Sequence, residues 1–254
     1  MVHFVGAGPG APDLITLRGA DLLRKADRVI YAGSLVNPEL LSYARPGCRV
    51  YNSAELTLEQ VVDVMRDSAE HGEELVRLHT GDPCLYGAVR EQMDCLDRLG
   101  IAWDDTPGVS SFSGAAAALG AEFTLPGVSQ TLILSRMAGR TPVPEGEALS
   151  ALAAHGASMV LFLSAGMTGK VQEELLKGAY TPDTPAAIVY KATWPEERIV
   201  RCTVGTLAAS AAEAGITKTA LLLIGAFLAD GEVPQRSCLY DPSFSTGFRE
   251  ASQP

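Results

Sequence analysis

Short apolar runs and amphipathic stretches alternate along this chain. Residues 2–6, 28–32, 48–51, 74–79 and 101–103 read as strands from their apolar and β-branched content. Between them, apolar positions recur at helical spacing over 16–26, 57–69 and 86–98. Thr16 and Thr57 stand where a side-chain oxygen caps a first turn, and Gly72 where a helix ends. Asn37 and Pro38 open a further helix, because proline suits the first helical position. This βα succession predicts an α/β fold with a mostly parallel or mixed sheet covered by helices.

A Pro107-Gly108-Val109-Ser110-Ser111 turn and an alanine-rich helix over 112–119 follow, and residues 120–127 read as a hinge. A second α/β set comes next. Its strands are predicted at 130–135, 158–163, 186–190, 198–203 and 219–228, its helices at 147–154, 167–177 and 205–214. The pattern becomes irregular after Asp230. We therefore expect domains at 1–122 and 123–240, with an irregular tail at 241–254. A length of 254 residues suits two such domains.

Composition narrows the partners. A net charge of −10 argues against nucleic acid, whose phosphates require a basic face. The longest apolar run, 220–229, is about half of the roughly 20 residues that a membrane span needs. No basic leader precedes the first strand, so a soluble, cytoplasmic protein is expected. Cys48, Cys84, Cys95, Cys202 and Cys238 form no CxxC pair, which fits a reducing compartment without disulfides or a zinc site. The four histidines lack metal-ligand spacing, so no protein-bound metal is expected; any metal would be carried by the substrate.

Two turns carry candidate chemistry. Thr80-Gly81-Asp82-Pro83 follows the predicted strand 74–79, where open α/β sheets bind ligands. Pro83 stiffens this bend. Asp82 lies outside the predicted core, so its removal should weaken a ligand site with little loss of fold. Gly6-Ala7-Gly8-Pro9-Gly10-Ala11 formally matches a dinucleotide fingerprint. Pro9 removes an amide there, the helix begins only after Thr16, and strand 28–32 ends without an acidic residue for a ribose. An oxidoreductase is the weaker reading.

Together these segments resemble the tetrapyrrole methylase family. The resemblance lies in Val5-Gly6-Ala7-Gly8-Pro9-Gly10 with Leu14-Ile15-Thr16, in Gly81-Asp82-Pro83 with Gly87, in Pro107 to Ser111, and in Pro185 to Tyr190. It implies two α/β domains with the active site in the cleft between them, a homodimer, and S-adenosylmethionine as methyl donor. It also implies a cofactor site of Pro9, Thr80, Gly81, Asp82, Leu85, Ser110, Ser111, Leu163, Ala192, Thr219 and Ala220. Taken singly, Leu163 and Ala192 also suit plain core positions.

Segments 31–36, 139–145 and 190–195, with the turn at 78–87, narrow the resemblance to members acting at C-11 of precorrin-4 or cobalt-precorrin-4. Cys84 departs from the serine expected there. A carboxylate-rich substrate against an acidic chain needs locally gathered cations. Arg90, Arg136, Arg140, Lys191 and Arg198 are candidates, although each also suits a solvated surface. Glu91 is the candidate proton acceptor, and it equally suits the first turns of a helix.

Overall fold

The computed structural model describes all residues except 230, 232–234, 236, 253 and 254. The start of the irregular tail at Asp230 and its last two residues therefore lie outside the described residues. The chain divides into two units, and they are not contiguous in sequence. One comprises Met1–Ala115 with Lys191–Glu197; the other comprises Ala116–Tyr190 with Arg198–Pro254.

The first unit is built on five parallel strands, β1 (Val2–Gly6), β2 (Arg28–Tyr31), β3 (Arg49–Asn52), β4 (Leu75–His79) and β5 (Trp103–Thr106). Their order is β3-β2-β4-β1-β5. Every residue of β1 and β4 is buried, as expected of strands covered on both faces. Side chains alternate between those faces. Val5, Val29, Val76 and Leu78 pack with Ala20 and Leu23 of α1 (Leu17–Lys25). Phe4, Ile30 and Leu75 pack with Val61 and Met65 of α2 (Leu58–Glu70) and Met93 and Leu96 of α3 (Arg90–Leu99). Neighbouring strands β1 and β4 thus lead to helices on opposite faces, which opens a crevice at their carboxyl ends.

Thr16 caps α1 through Gly19 N, and Thr57 closes a reciprocal capping box with Gln60 on α2. Three predicted elements are corrected. Residues 38–43 form a 3-10 helix because only short-range bonds follow Asn37 and Pro38. The helix predicted from 86 begins at Arg90, since Tyr86 and Ala88 have φ of 56° and 49° and cannot join it. The strand predicted at 101–103 is Trp103–Thr106, paired with β1.

The second unit starts within α4 (Ser111–Leu119). It holds a mixed sheet of β6 (Leu132–Arg136), β7 (Ser158–Phe162), β8 (Pro185–Tyr190), β9 (Arg198–Thr203) and β10 (Ala220–Ile224) in the order β6-β7-β10-β8-β9. Only β6 and β7 are parallel. Helices α5 (Leu149–Ala153), α6 (Thr168–Leu175) and α7 (Leu207–Glu213) bury Leu149, Val171, Leu175 and Leu207 against Met159, Leu161, Ile188 and Leu222. The strand predicted over 219–228 stops at Ile224, where Gly225 takes a φ of 139° and a 3-10 turn follows. Among the described residues, no helix is long and apolar enough to cross a membrane.

Candidate active site

Three turns meet at the carboxyl ends of β1, β4 and β5. Gly8 and Gly81 exchange backbone hydrogen bonds at 3.2 and 2.8 Å, bridging the first two. The third packs backbone on backbone. A Cβ on Gly108 would stand 2.1 Å from the Gly81 carbonyl oxygen and 2.7 Å from Gly6 Cα. The spaced glycines of the sequence therefore answer to one another's main chains.

Asp82 locks this junction. Its carboxylate accepts from Cys84 N at 2.8 Å and from Gly108 N at 3.0 Å. Partial burial raises its pKa, but these hydrogen bonds outweigh burial and hold the carboxylate below its ordinary range. The hydrogen bond between the Cys84 thiol and this carboxylate, then some burial and the same negative charge, push the thiol up to about 11, so no thiolate nucleophile is offered there. Asp105 is raised by burial and by the neighbouring charges of Asp82 and Asp104. The sequence places Asp82 outside the core; the structure adds that its carboxylate ties two turns together.

Most of the glycine loop's polar backbone is already engaged. Ala7 N donates to the His79 carbonyl at 2.7 Å, Gly8 N to Gly81, and Ala11 N to Thr193 Oγ1 at 3.0 Å. The Pro9 carbonyl accepts from Trp194 Nε1 at 3.1 Å, and that of Gly10 from Asn37 Nδ2 at 3.0 Å. Pro9 has no amide to offer. A pyrophosphate needs free amides at such a loop, so the dinucleotide reading fails on geometry as well as on sequence.

The anticipated cofactor residues fall into two sets. In the first unit, Thr80, Gly81, Asp82 and Leu85 follow β4, and a Cβ on Gly81 would meet Ser110 and Ser111 at 3.4–3.5 Å. Pro9 packs on Gly114, and the Ala192 carbonyl lies against Gly10. These eight residues gather around one sheet edge. In the second unit, Leu222 pairs with Leu161 and Ala220 with Tyr190, which sets Leu163, Thr219 and Ala220 at one end of that sheet. Leu163 is not a core residue. It is 64% exposed with a φ of 52°, and Thr219 has a φ of 54°. An exposed leucine in the left-handed region is costly for folding.

Sequence comparison matches residues 1–208 to the tetrapyrrole (corrin/porphyrin) methylases. The chain belongs to this family. It is 47% identical over 98% of its length to a cobalt-precorrin-4 C(11)-methyltransferase of Methanocaldococcus jannaschii, covering 96% of that protein. The crystal structure of a cobalt-precorrin-4 methyltransferase of cobalamin biosynthesis superposes with a TM-score of 0.88 at 48% identity, over 90% of this chain and 96% of the other. A uroporphyrin-III C-methyltransferase from Thermus thermophilus, complexed with S-adenosylhomocysteine, is more distant. Its TM-score is 0.76 at 28% identity, over 89% of this chain and 98% of the other.

Within this family fold, most of the anticipated cations already have partners of their own. Arg90 is exposed and pairs with Asp94 at 2.5 Å. Arg136 donates to the carbonyls of Thr141 and Pro142, fastening its own loop, and Arg140 is exposed. Lys191 lies 4.8 Å from the Trp194 ring centroid and 3.4 Å from Glu196. Arg198 stacks on Tyr190 and donates to the Ala214 carbonyl. Glu91 is exposed in the first turn of α3.

Sequence reasoning missed the anchors of the glycine loop. Asn37 read only as a helix start, and Thr193 and Trp194 only as part of a family segment. The sequence signal was a tryptophan and a threonine set in a polar loop, the residue types that lend a donor and an acceptor to another backbone.

Proposed function

We propose that this protein transfers the methyl group of S-adenosylmethionine to C-11 of precorrin-4 or cobalt-precorrin-4, a step of cobalamin biosynthesis. The supporting observation is its near-full-length likeness to precorrin-4 enzymes, which exceeds its likeness to the uroporphyrin-III enzyme. We further read it as a cytoplasmic homodimer.

The residues present fit that donor. S-adenosylmethionine supplies an electrophilic methyl group on a sulfonium sulfur. No protein nucleophile is required, and the high thiol pKa of Cys84 is consistent with that. In this reading Pro9, Thr80, Gly81, Asp82, Leu85, Ser110, Ser111 and Ala192 hold the donor, largely through backbone groups on a rim stiffened by Asp82. Leu163, Thr219 and Ala220 of the second unit are assigned to it as well. Their small or apolar side chains exclude water, which suits a reaction that loses the sulfonium charge. Holding donor and acceptor in register is the main catalytic contribution, worth up to about 7–11 kcal/mol. Glu91 is assigned the proton that the tetrapyrrole gives up, and Arg90, Arg136, Arg140 and Lys191 its carboxylates.

Incubation with labelled S-adenosylmethionine and precorrin-4 in both metal states tests this, with location of the new methyl group by NMR. Label at C-11 is the expected result. Label at another carbon, or tight NAD binding without transfer, overturns the assignment.

A further inference from the structure

Arg77 is out of place in the first sheet. It lies in the middle of β4, 6% exposed, among Leu75, Val76 and Leu78. Among the described residues no carboxylate pairs with it. Its Nε donates to Gln92 Oε1 at 3.1 Å and its Nη1 to the Ile30 carbonyl at 3.4 Å. Burial holds its pKa down to about 10, as happens to a cation without a counter-ion. Packing alone does not account for such a residue, because an apolar side chain fills a buried strand more favourably.

Gln92 supplies the reason. It is 5% exposed, and its Nε2 donates to the Ala88 carbonyl at 2.9 Å. The guanidinium fixes the amide orientation, with oxygen toward Arg77 and nitrogen toward Ala88. Ala88 closes a strained turn between the Gly-Asp-Pro bend and α3. Tyr86 and Ala88 both have positive φ, and a Cβ on Gly87 between them would lie 2.2 Å from the Pro83 carbonyl oxygen. The residue preceding α3, Val89, provides no side-chain cap. The turn therefore has a side-chain anchor on each side. Asp82 holds its upstream half through Cys84 and Gly108, and Gln92 holds its downstream half. Between them Tyr86 is 44% exposed beside the carboxyl end of β4.

We propose that Arg77 and Gln92 are positioning residues that hold Tyr86 against the tetrapyrrole, making Tyr86 a specificity-determining contact for the methyl acceptor. This rests on the function proposed above. Asp82 anchors the half that carries Thr80, Gly81 and Asp82 independently, so loss of the Gln92 bond falls on the acceptor far more than on the donor, which keeps all its assigned contacts outside the loosened stretch except Leu85.

Gln92→Glu is the discriminating variant: it keeps an acceptor for Arg77 but cannot donate to Ala88. We expect amide exchange in residues 83–89 to accelerate about tenfold. The KM for the tetrapyrrole should rise about tenfold, while the Kd for S-adenosylmethionine stays within about twofold. Tyr86→Ala, with its melting temperature read alongside, should give the same split, and it decides the matter if Gln92→Glu does not fold. Wild-type exchange in Gln92→Glu, or an unchanged tetrapyrrole KM in either variant, overturns the proposal. A wild-type protein inert toward precorrin-4 in both metal states fails the functional reading instead. The exchange result then still decides whether Gln92 holds the turn.

Discussion

The Asp82 carboxylate accepts from the amide of Gly108, 26 residues further along the chain, at 3.0 Å. Two turns that approach each other only in the folded sheet are thus joined by one side chain. A carboxylate bonded to two amides stabilises its fold, and here partial exposure moderates the effect. Asp82→Ala should cost about 2 kcal/mol at pH 7, and Asp82→Asn, with one acceptor left, about half of that. The folded pKa lies below the unfolded one, so this stabilisation is full above about pH 4 and is lost as pH falls through the folded value. Urea unfolding at both pH values checks the sign: the gap between wild type and Asp82→Ala should narrow in acid.

Gly108 tests the backbone packing directly. A methyl group there meets main-chain atoms at 2.1 Å and 2.7 Å, which cannot rotate away. Gly108→Ala should lose at least about 3 kcal/mol or fail to fold. Gly146→Ala, with nothing within 4 Å of the added atom, should change stability by less than about 0.5 kcal/mol. Equal melting temperatures for the two would contradict this account of the junction.

Leu163 separates stability from function. Glycine relieves its left-handed backbone, so Leu163→Gly should gain up to about 1 kcal/mol. Leu163→Ala keeps the strain and gains nothing. Both should bind S-adenosylmethionine several-fold more weakly, because each removes the exposed apolar side chain. Calorimetric melting and ligand titration on the pair read the two effects separately.

His79 is buried, its Nε2 has no hydrogen-bond partner, and its ring stacks on Phe4 with centroids 6.1 Å apart. Burial and then the charge of Arg77 lower its pKa to about 3. Below about pH 6.5 the unfolded chain therefore takes up a proton that the folded one refuses. Stability falls with acid by up to about 1.4 kcal/mol per pH unit in that window. His79→Phe should remove this slope while keeping the stacked ring. Parallel acid unfolding curves for wild type and variant would rule the idea out.

Much of this was legible in the chain itself. Thr16 and Thr57 fixed two helix starts because capping is local chemistry. Hydrophobic runs marked the strands, since both faces of β1 and β4 are covered. The start of α3 was misread because positive φ at Tyr86 and Ala88 is imposed by surrounding structure and has no signature in residue type. Taken singly, Leu163 also suited the core, because apolarity reports preference and not position.

By itself, then, the sequence determined the elements, the α/β class and the family, all properties carried by neighbouring residues or by recognisable motifs. The tertiary structure alone decided that Asp82 holds Gly108, that Trp194 holds Pro9, and that Arg77 reaches Ala88 through Gln92. Those partners lie far apart along the chain or on different elements. Their pairing follows from strand order and turn geometry, which local composition does not encode.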